Sequence, residues 1–118
     1  MKLLFICSAN VMRSPTAEAV FSRYEGIEAS SAGTNVDAET PVSADLIEWA
    51  DVVVVMEQHH ARFLHERFGY LLRRKRVAIL GIPDRYEYMD AELVELLKEK
   101  VDLQLARWRN EIADDGRD

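Results

Sequence analysis

One cysteine and one arginine stand six positions apart near the start of the chain, in the segment Cys7-Ser8-Ala9-Asn10-Val11-Met12-Arg13-Ser14. A loop of this span can curl around one tetrahedral anion, because backbone N–H groups and a helix N-terminus both bind anionic oxygens. Arg13 can contact two of those oxygens at once, which the point charge of a lysine cannot do. The same positive field favours thiolate over thiol, so we expect Cys7 to be a nucleophile near neutral pH.

Two polar side chains of this segment have more than one interpretation. Ser14 can donate a hydrogen bond to the Cys7 thiolate, and as the serine before Pro15 it is equally suited to cap a helix. Asn10 can pin the loop by bonding its backbone, or it can be an ordinary turn asparagine. The sequence leaves both questions open.

The elements that must position this segment alternate along the chain. Short β-like runs occupy Lys2–Ile6, Ile27–Ser31, Val52–Val55 and Arg76–Leu80, and helical patterns follow from Ser14, over Ser43–Trp49, over Gln58–Phe68 and from Leu93 onward. Val52–Val55 is β-branched on both faces, which is typical of a parallel strand covered by helices on both sides. The alternation predicts an α/β fold, a three-layer doubly wound domain with a four-stranded parallel sheet flanked by helices.

Two carboxyl ends of the predicted strands carry reactive groups. Cys7 follows the first strand, and Asp84 lies in the turn Gly81-Ile82-Pro83-Asp84 after the fourth. Ligands of such sheets bind beyond the carboxyl ends of the strands, so we expect the thiol and the carboxylate at one edge. The alternative for Asp84 is a turn or capping aspartate.

Composition limits the classes of function. The 118 residues suffice for one ordinary core, which predicts a single domain over 1–118. No apolar run has the length of a membrane span, and the single cysteine suggests a reducing compartment, the cytoplasm. A net charge of −6 argues against nucleic-acid binding.

The basic run Arg73–Arg76 is either a solvated loop or a docking patch for acidic partners.

Three further groups receive structural interpretations. The histidines at 59, 60 and 65 are predicted to be exposed helix residues, because their spacing and context are not those of a metal site. Trp49 and Trp108 fall among helical apolar positions and are predicted core residues. The tail at residues 114–118 is expected to fray.

The order of these motifs resembles the low-molecular-weight protein tyrosine phosphatases. The match begins at Ile6-Cys7 and, five residues later, continues through Arg13-Ser14-Pro15-Thr16-Ala17-Glu18-Ala19. It is reinforced by Ser31-Ala32-Gly33-Thr34, Met56-Glu57 and Ile82-Pro83-Asp84 after the next three strands. From this order along nearly the whole length, the chain is identified as a short member of that family, and we expect the sheet order 2-1-3-4.

The resemblance implies hydrolysis of phosphotyrosine or similar aryl phosphate monoesters in two steps. Cys7 attacks phosphorus and forms a phosphocysteine, and residues 8–14 bind the phosphate. Arg13 and the loop amides stabilise the charge of the equatorial oxygens, and Asp84 is the general acid. Tyr86 matches an aromatic position that walls the substrate cleft. No cofactor or metal is implied. The expected partners are a phosphorylated protein or a small aryl phosphate, with inorganic phosphate as product and inhibitor, and neither nucleic acid nor membrane insertion.

The sequence also departs from the family pattern. Arg85 follows Asp84 where proline is usual, Met12 replaces a second cysteine, and the short loop Asn35–Thr40 lacks an aromatic residue that would stack on phosphotyrosine. Val11 resembles the apolar residue of tyrosine-directed members rather than the threonine linked to phosphoarginine. Two alternatives stay open: arsenate reduction with an external thiol, and a phosphate- or phosphopeptide-binding module with little catalysis.

Overall fold

Four parallel strands form one sheet, in the order β2-β1-β3-β4, in the computed structural model, which describes residues 1–114. The strands are β1 (Lys2–Cys7), β2 (Glu28–Gly33), β3 (Val52–Val55) and β4 (Arg76–Ile79). The helices are α1 (Arg13–Phe21), α2 (Ala44–Trp49), α3 (Gln58–Leu72) and α4 (Ala91–Asp114). The predicted α/β class, parallel sheet and order 2-1-3-4 are confirmed. Of the predicted frayed tail, residues 115–118 lie outside the described residues, and Asp114 ends α4.

The sheet separates two hydrophobic clusters, because successive side chains of a strand point to opposite faces. In β1, Leu3 and Phe5 belong to the cluster covered by α1 and α4, whereas Leu4 and Ile6 belong to the cluster covered by α2 and α3. All four residues of Val52–Val55 are buried, as predicted for a central strand. Apolar residues that recur at helical spacing along one face of α4 are buried, namely Leu93, Leu97, Val101, Leu105 and Trp108.

Several ends of elements differ from the sequence expectations. Helix α1 begins at Arg13, and its N-cap residue is Met12, so the prediction that Ser14 caps this helix is wrong. Helix α3 continues to Leu72 past Phe68, where non-helical backbone angles of −129° and 21° produce a kink at the predicted end. Ser43 caps α2, and its Oγ accepts from the Leu46 N–H at 3.3 Å.

Three strands end level with one another. Ile6 of β1 pairs with Val55 of β3, which in turn pairs with Ile79 of β4. Beyond these strands, the Met56 N–H donates to the Ile6 carbonyl at 3.0 Å, and the Ile82 N–H donates to the Met56 carbonyl at 2.8 Å. The segments that follow β1, β3 and β4 therefore meet at one edge of the sheet.

Within residues 1–114, no helix has the length and apolar character needed to span a membrane.

Candidate active site

The loop after β1 is held by its carbonyl groups. The Thr34 and Asn35 N–H groups donate to the carbonyls of Cys7 and Ser8 at 3.0 Å, and the Glu39 N–H donates to the Ala9 carbonyl at 3.0 Å. In contrast, the N–H groups of residues 8–12 donate to no acceptor within 1–114. Consecutive unpaired N–H groups ahead of a helix form an anion-binding nest. The loop after β2 thus anchors residues 8–12 and leaves their donors available. We call residues 7–14 the phosphate loop, after the ligand predicted for them.

Asn10 explains how the loop keeps this shape. Its φ of 59° lies in the left-handed region, which asparagine adopts more readily than most residues. Its Nδ2 donates to Ser14 Oγ at 2.9 Å and to Ser31 Oγ at 3.0 Å, and its Oδ1 accepts from the Thr40 N–H at 3.1 Å. The buried Asn10 side chain therefore pins the loop through hydrogen bonds, although its main partners are side chains rather than the loop backbone.

Ser14 connects this network to the cysteine. Its Oγ lies 2.9 Å from Cys7 Sγ, and both residues are buried. Because the Ser14 oxygen accepts from Asn10 Nδ2, its own hydrogen can be donated either to Cys7 sulfur at 2.9 Å or to the more distant Ala32 carbonyl at 3.4 Å. The Ser14 hydroxyl is therefore placed to donate a hydrogen bond to the sulfur of Cys7.

Among the described residues, the guanidinium of Arg13 donates side-chain hydrogen bonds from Nη1 only. Its Nη1 donates to Glu57 Oε1 at 2.5 Å and to the Ile82 carbonyl at 2.9 Å, while the side chain is 2% exposed. The opposite edge, formed by Nε and Nη2, has the spacing to contact two oxygens of a tetrahedral anion. Partial burial alone raises the pKa of Glu57, but the hydrogen bond and charge of Arg13, with a contribution from His59, lower it below its usual value.

Asp84 lies at the same edge of the sheet as the phosphate loop. Its Oδ1 is 3.7 Å from Arg13 Nε, and its side chain is 67% exposed. The segment that carries it is tied to the loop, since the Met89 N–H donates to Thr16 Oγ1 and Thr16 Oγ1 donates to the Met12 carbonyl. A solvent-exposed carboxylate beside the arginine can exchange protons with a bound ester.

Tyr86 is placed differently from the family expectation of a cleft wall. Its side chain is 7% exposed and belongs to the cluster that contains Cys7 and Ile82. Its hydroxyl accepts from Arg85 Nη2 at 3.4 Å. Tyr88 is 53% exposed. Tyr86 is thus mainly a core residue in this structure, and a contact with substrate stays a prediction.

His60 corrects the prediction of three exposed histidines. It is fully buried, its Nδ1 accepts from the Glu57 N–H at 3.0 Å, and its Nε2 lies 2.9 Å from Ser8 Oγ. Since Nδ1 is an acceptor, the neutral ring carries its hydrogen on Nε2 and donates to Ser8. Burial, followed by the charges of His59 and Arg13, lowers the pKa of His60 to about 4, against an opposing effect of Glu57. His59 and His65 are exposed, as predicted.

Sequence reasoning missed the roles of both Glu57 and His60. A signal existed in the predicted strand order, because a third strand beside the first brings the residues after Val55 next to the residues after Ile6. Glu57, His59 and His60 each offer an oxygen or nitrogen atom that could bind a metal ion, and these three atoms lie within 4.8 Å of one another. However, both ring nitrogens of His60 already form hydrogen bonds, and Glu57 pairs with Arg13. His60 and Glu57 therefore position Ser8 and Arg13 of the phosphate loop.

Comparisons with known proteins agree with this geometry. The model of the low molecular weight phosphotyrosine protein phosphatase family matches residues 2–48, which include the phosphate loop. No curated protein matches the chain by sequence.

Solved structures extend the similarity along the chain. A YwlE mutant from Bacillus subtilis is 28% identical, with 90% of this chain and 99% of that one covered and a TM-score of 0.67. A cysteine-to-serine mutant of YwlE arginine phosphatase, with a phosphorylated active-site serine, is 26% identical, with 94% and 99% covered and a TM-score of 0.70. The tyrosine phosphatase Wzb from Escherichia coli K30, in complex with phosphate, is 20% identical, with 90% and 96% covered and a TM-score of 0.70, and it shows the fold alone. By its N-terminal sequence and its structure, the chain is similar to the low molecular weight phosphotyrosine protein phosphatase family.

Proposed function

We propose that this chain is a cysteine-dependent phosphatase that hydrolyses phosphate monoesters through a phosphocysteine. The observation that carries the proposal is the placement of Cys7 Sγ, 2.9 Å from Ser14 Oγ, at the start of a loop whose N–H groups donate to no acceptor within 1–114. The adjoining Arg13 guanidinium, held by Glu57, adds charge at the other end of the loop. This combination supports a nucleophile with a fixed site for the phosphate that it attacks.

In the first step, the thiolate of Cys7 forms an S–P bond while the bond between phosphorus and the leaving oxygen breaks. The loop N–H groups and Arg13 stabilise the charge of the equatorial oxygens. Protonated Asp84 gives its proton to the leaving oxygen. In the second step, water gives a proton to Asp84 and attacks phosphorus, the S–P bond breaks, and inorganic phosphate leaves. The thiolate returns to its starting state.

The rim of the loop supports an aryl phosphate monoester as the substrate. Val11 and Met12 are 46% and 38% exposed, so two apolar side chains flank the position proposed for phosphate. An aromatic leaving group packs on such surfaces at little cost in desolvation. We therefore propose phosphotyrosine in a protein, or a small aryl phosphate, as the substrate. We also propose the cytosol as its compartment, because Cys7 must stay reduced to act.

A second candidate substrate is phosphoarginine. The solved structures that are 28% and 26% identical are both YwlE, which one of their titles describes as an arginine phosphatase. In this reaction, Asp84 would donate its proton to the leaving guanidine nitrogen instead of a phenol oxygen. Hydrolysis rates for a phosphoarginine peptide and a phosphotyrosine peptide of the same sequence decide between the two substrates.

The test of the proposed function is hydrolysis of a chromogenic aryl phosphate with a chelator present. We expect Cys7→Ser to abolish turnover while inorganic phosphate still binds, and Arg13→Lys to weaken phosphate binding and turnover. Asp84→Asn should reduce turnover by about 10²–10⁴-fold for poor leaving groups and much less for good ones. Arg62→Lys, on the exposed surface of α3, is the matched control.

Three results would contradict the proposal. Equal activity of wild type and Cys7→Ser would exclude the nucleophile. Phosphopeptide binding without turnover by the wild type would indicate a binding module. Reduction of arsenate with thioredoxin or glutaredoxin, without aryl phosphatase activity, would indicate an arsenate reductase.

A further inference from the structure

Ser8 follows Cys7 directly in the phosphate loop, and its side chain forms one hydrogen bond within residues 1–114. The partner of its Oγ is Nε2 of His60, at a distance of 2.9 Å. Ser8 is only partly buried, whereas His60 is fully buried at the start of α3. A hydroxyl group beside the nucleophile is therefore held from the protein interior.

The other ring nitrogen of His60 determines the direction of this hydrogen bond. Nδ1 lies 3.0 Å from the backbone nitrogen of Glu57, whose N–H can only donate, so Nδ1 is the acceptor. A neutral imidazole that accepts at Nδ1 carries its hydrogen on Nε2, so Nε2 donates to Ser8 Oγ. Burial is the largest cause of the low pKa of His60, about 4, which agrees with a neutral ring.

A serine and a histidine at this distance also occur as the nucleophile and the general base of hydrolases. In that arrangement the serine donates its hydrogen to a ring nitrogen that carries none. The tautomer of His60 excludes this arrangement, because Nε2 already carries a hydrogen. Ser8 therefore keeps its own hydrogen while its Oγ accepts from His60.

The hydroxyl hydrogen of Ser8 has no acceptor within the described part of the chain, residues 1–114. It belongs to the segment 8–12, whose N–H groups likewise donate to no acceptor there. Because His60 occupies one lone pair of Oγ, the hydroxyl must donate in a direction away from the histidine. A donor that is oriented before a ligand binds stabilises an oxyanion more than a freely rotating donor, since less ordering is needed on binding.

His60 also joins Ser8 to the groups that surround Arg13. The backbone N–H of Glu57 donates to His60, and the carboxylate of Glu57 pairs with the guanidinium of Arg13. Arg13 Nε in turn lies 3.7 Å from Asp84 Oδ1. A continuous chain of contacts therefore connects the Ser8 hydroxyl to the arginine and the carboxylate of the candidate active site.

We propose that Ser8 is a further catalytic residue, whose hydroxyl donates a hydrogen bond to a phosphate oxygen of the substrate, and that His60 is its positioning residue. This inference rests on the proposed phosphatase function. The contact adds to those of the loop N–H groups and Arg13, and it helps to hold phosphorus in line with Cys7 Sγ. Ser8 transfers no proton, so the covalent steps at Cys7 are unchanged.

Binding of inorganic phosphate, measured by calorimetry on the full chain, tests the role of the hydroxyl. We expect Ser8→Ala to raise the dissociation constant about tenfold, because a hydrogen bond to a charged oxygen is lost. Ser8→Thr keeps a hydroxyl group and should recover most of the affinity. Ser22→Ala, at the exposed end of α1, is the matched control and should bind like the wild type. Equal dissociation constants for the wild type and Ser8→Ala would overturn the proposal.

A double-mutant cycle separates the positioning role of His60 from a merely structural role. We expect His60→Gln to weaken phosphate binding about threefold when Ser8 is present and to have no further effect in Ser8→Ala. Circular dichroism at neutral pH verifies that each variant is folded before its affinity is compared. If His60→Gln weakens binding equally in both backgrounds, His60 does not act through Ser8.

Turnover of a chromogenic aryl phosphate distinguishes failure of this inference from failure of the proposed function. We expect Ser8→Ala to lower kcat/KM by about tenfold, whereas Cys7→Ser abolishes turnover. If Cys7→Ser is as active as the wild type, the proposed function itself is wrong. If Cys7→Ser is inactive and Ser8→Ala has the kcat/KM of the wild type, the proposed function stands and the role of Ser8 is refuted.

Discussion

The Nε2 atom of His60 lies 2.9 Å from Oγ of Ser8, and this hydrogen bond joins the start of α3 to the phosphate loop after β1. The two residues are 52 positions apart in the chain. They meet because β3 lies beside β1 in the sheet. His60 also accepts from the Glu57 N–H, and Glu57 in turn pairs with Arg13. A chain of contacts therefore connects Ser8, His60, Glu57 and Arg13.

Acid should weaken the contacts of His60 and lower the stability of the fold. The unfolded chain protonates His60 near its ordinary pKa of 6.5, whereas the folded protein does so only at about 4. Between these values the unfolded state binds more protons, so the free energy of unfolding falls as the pH falls from about 6.5 to about 4. We expect His60 to account for a loss of about 1–2 kcal/mol in that window. Urea denaturation at a series of pH values measures it.

Two histidine substitutions separate this contribution from that of the carboxylates. His60→Gln keeps a polar side chain but cannot titrate, so its stability at neutral pH should be lower and its loss in acid smaller than in the wild type. His65→Gln, at an exposed position of α3, should follow the wild type throughout. If the wild type and His60→Gln lose equal stability between about pH 6.5 and 4, His60 is not the titrating group.

Glu57 should control how Arg13 meets phosphate. Glu57→Ala removes the carboxylate that fixes Nη1, leaving a guanidinium that is 2% exposed with only the more distant carboxylate of Asp84 as an ionic partner. We expect the inhibition constant of inorganic phosphate to rise about tenfold, together with a loss of stability of about 2 kcal/mol. Glu57→Gln should recover part of the affinity through its amide oxygen. His59→Ala removes only an exposed neighbour, and an inhibition constant that responds equally to His59→Ala and Glu57→Ala would refute this role.

Ser14 should determine the reactivity of Cys7 through their 2.9 Å contact. We expect Ser14→Ala to slow alkylation of Cys7 by iodoacetamide at neutral pH by about tenfold, because the thiolate loses a hydroxyl donor. Ser22→Ala, at the exposed end of α1, is the control. Since Cys7 is the single cysteine, mass spectrometry of the intact chain follows the reaction directly. An unchanged alkylation rate in Ser14→Ala would mean that the hydroxyl does not act on the thiolate.

Gly33 is required by the close approach of β2 to the phosphate loop. A Cβ at this position would lie 2.4 Å from the Ser8 carbonyl oxygen and 2.7 Å from Ala38 Cβ, so the backbone would have to move. We expect Gly33→Ala to lower Tm and to reduce turnover at least about tenfold, since the loop donors shift. Gly69→Ala places a Cβ in open space within α3 and should instead raise stability slightly. Equal Tm and activity in both variants would contradict this explanation.

Much of the fold could be predicted from local sequence. The valines at 52–55 identify a strand that is buried on both faces. Ser43 marks the start of α2, which it caps. The apolar spacing of residues 93, 97, 101, 105 and 108 identifies the buried face of α4. These signals are local because side-chain periodicity and capping depend on residues within one or two turns. The positions of Cys7 and Asp84 after their strands followed from the same pattern, since parallel strands end at a common edge.

Only the tertiary structure decided which polar residues serve the candidate site. Helical periodicity places His60 on the first turn of α3 but cannot reveal that this turn faces Ser8, so the histidine was expected in solvent. Ser14 had the local sequence of a cap, yet its hydroxyl lies between Asn10 and Cys7. The physical reason is common to both residues. A buried polar group is fixed by partners that are distant in sequence, and those partners exist only once the strands have taken the order β2-β1-β3-β4.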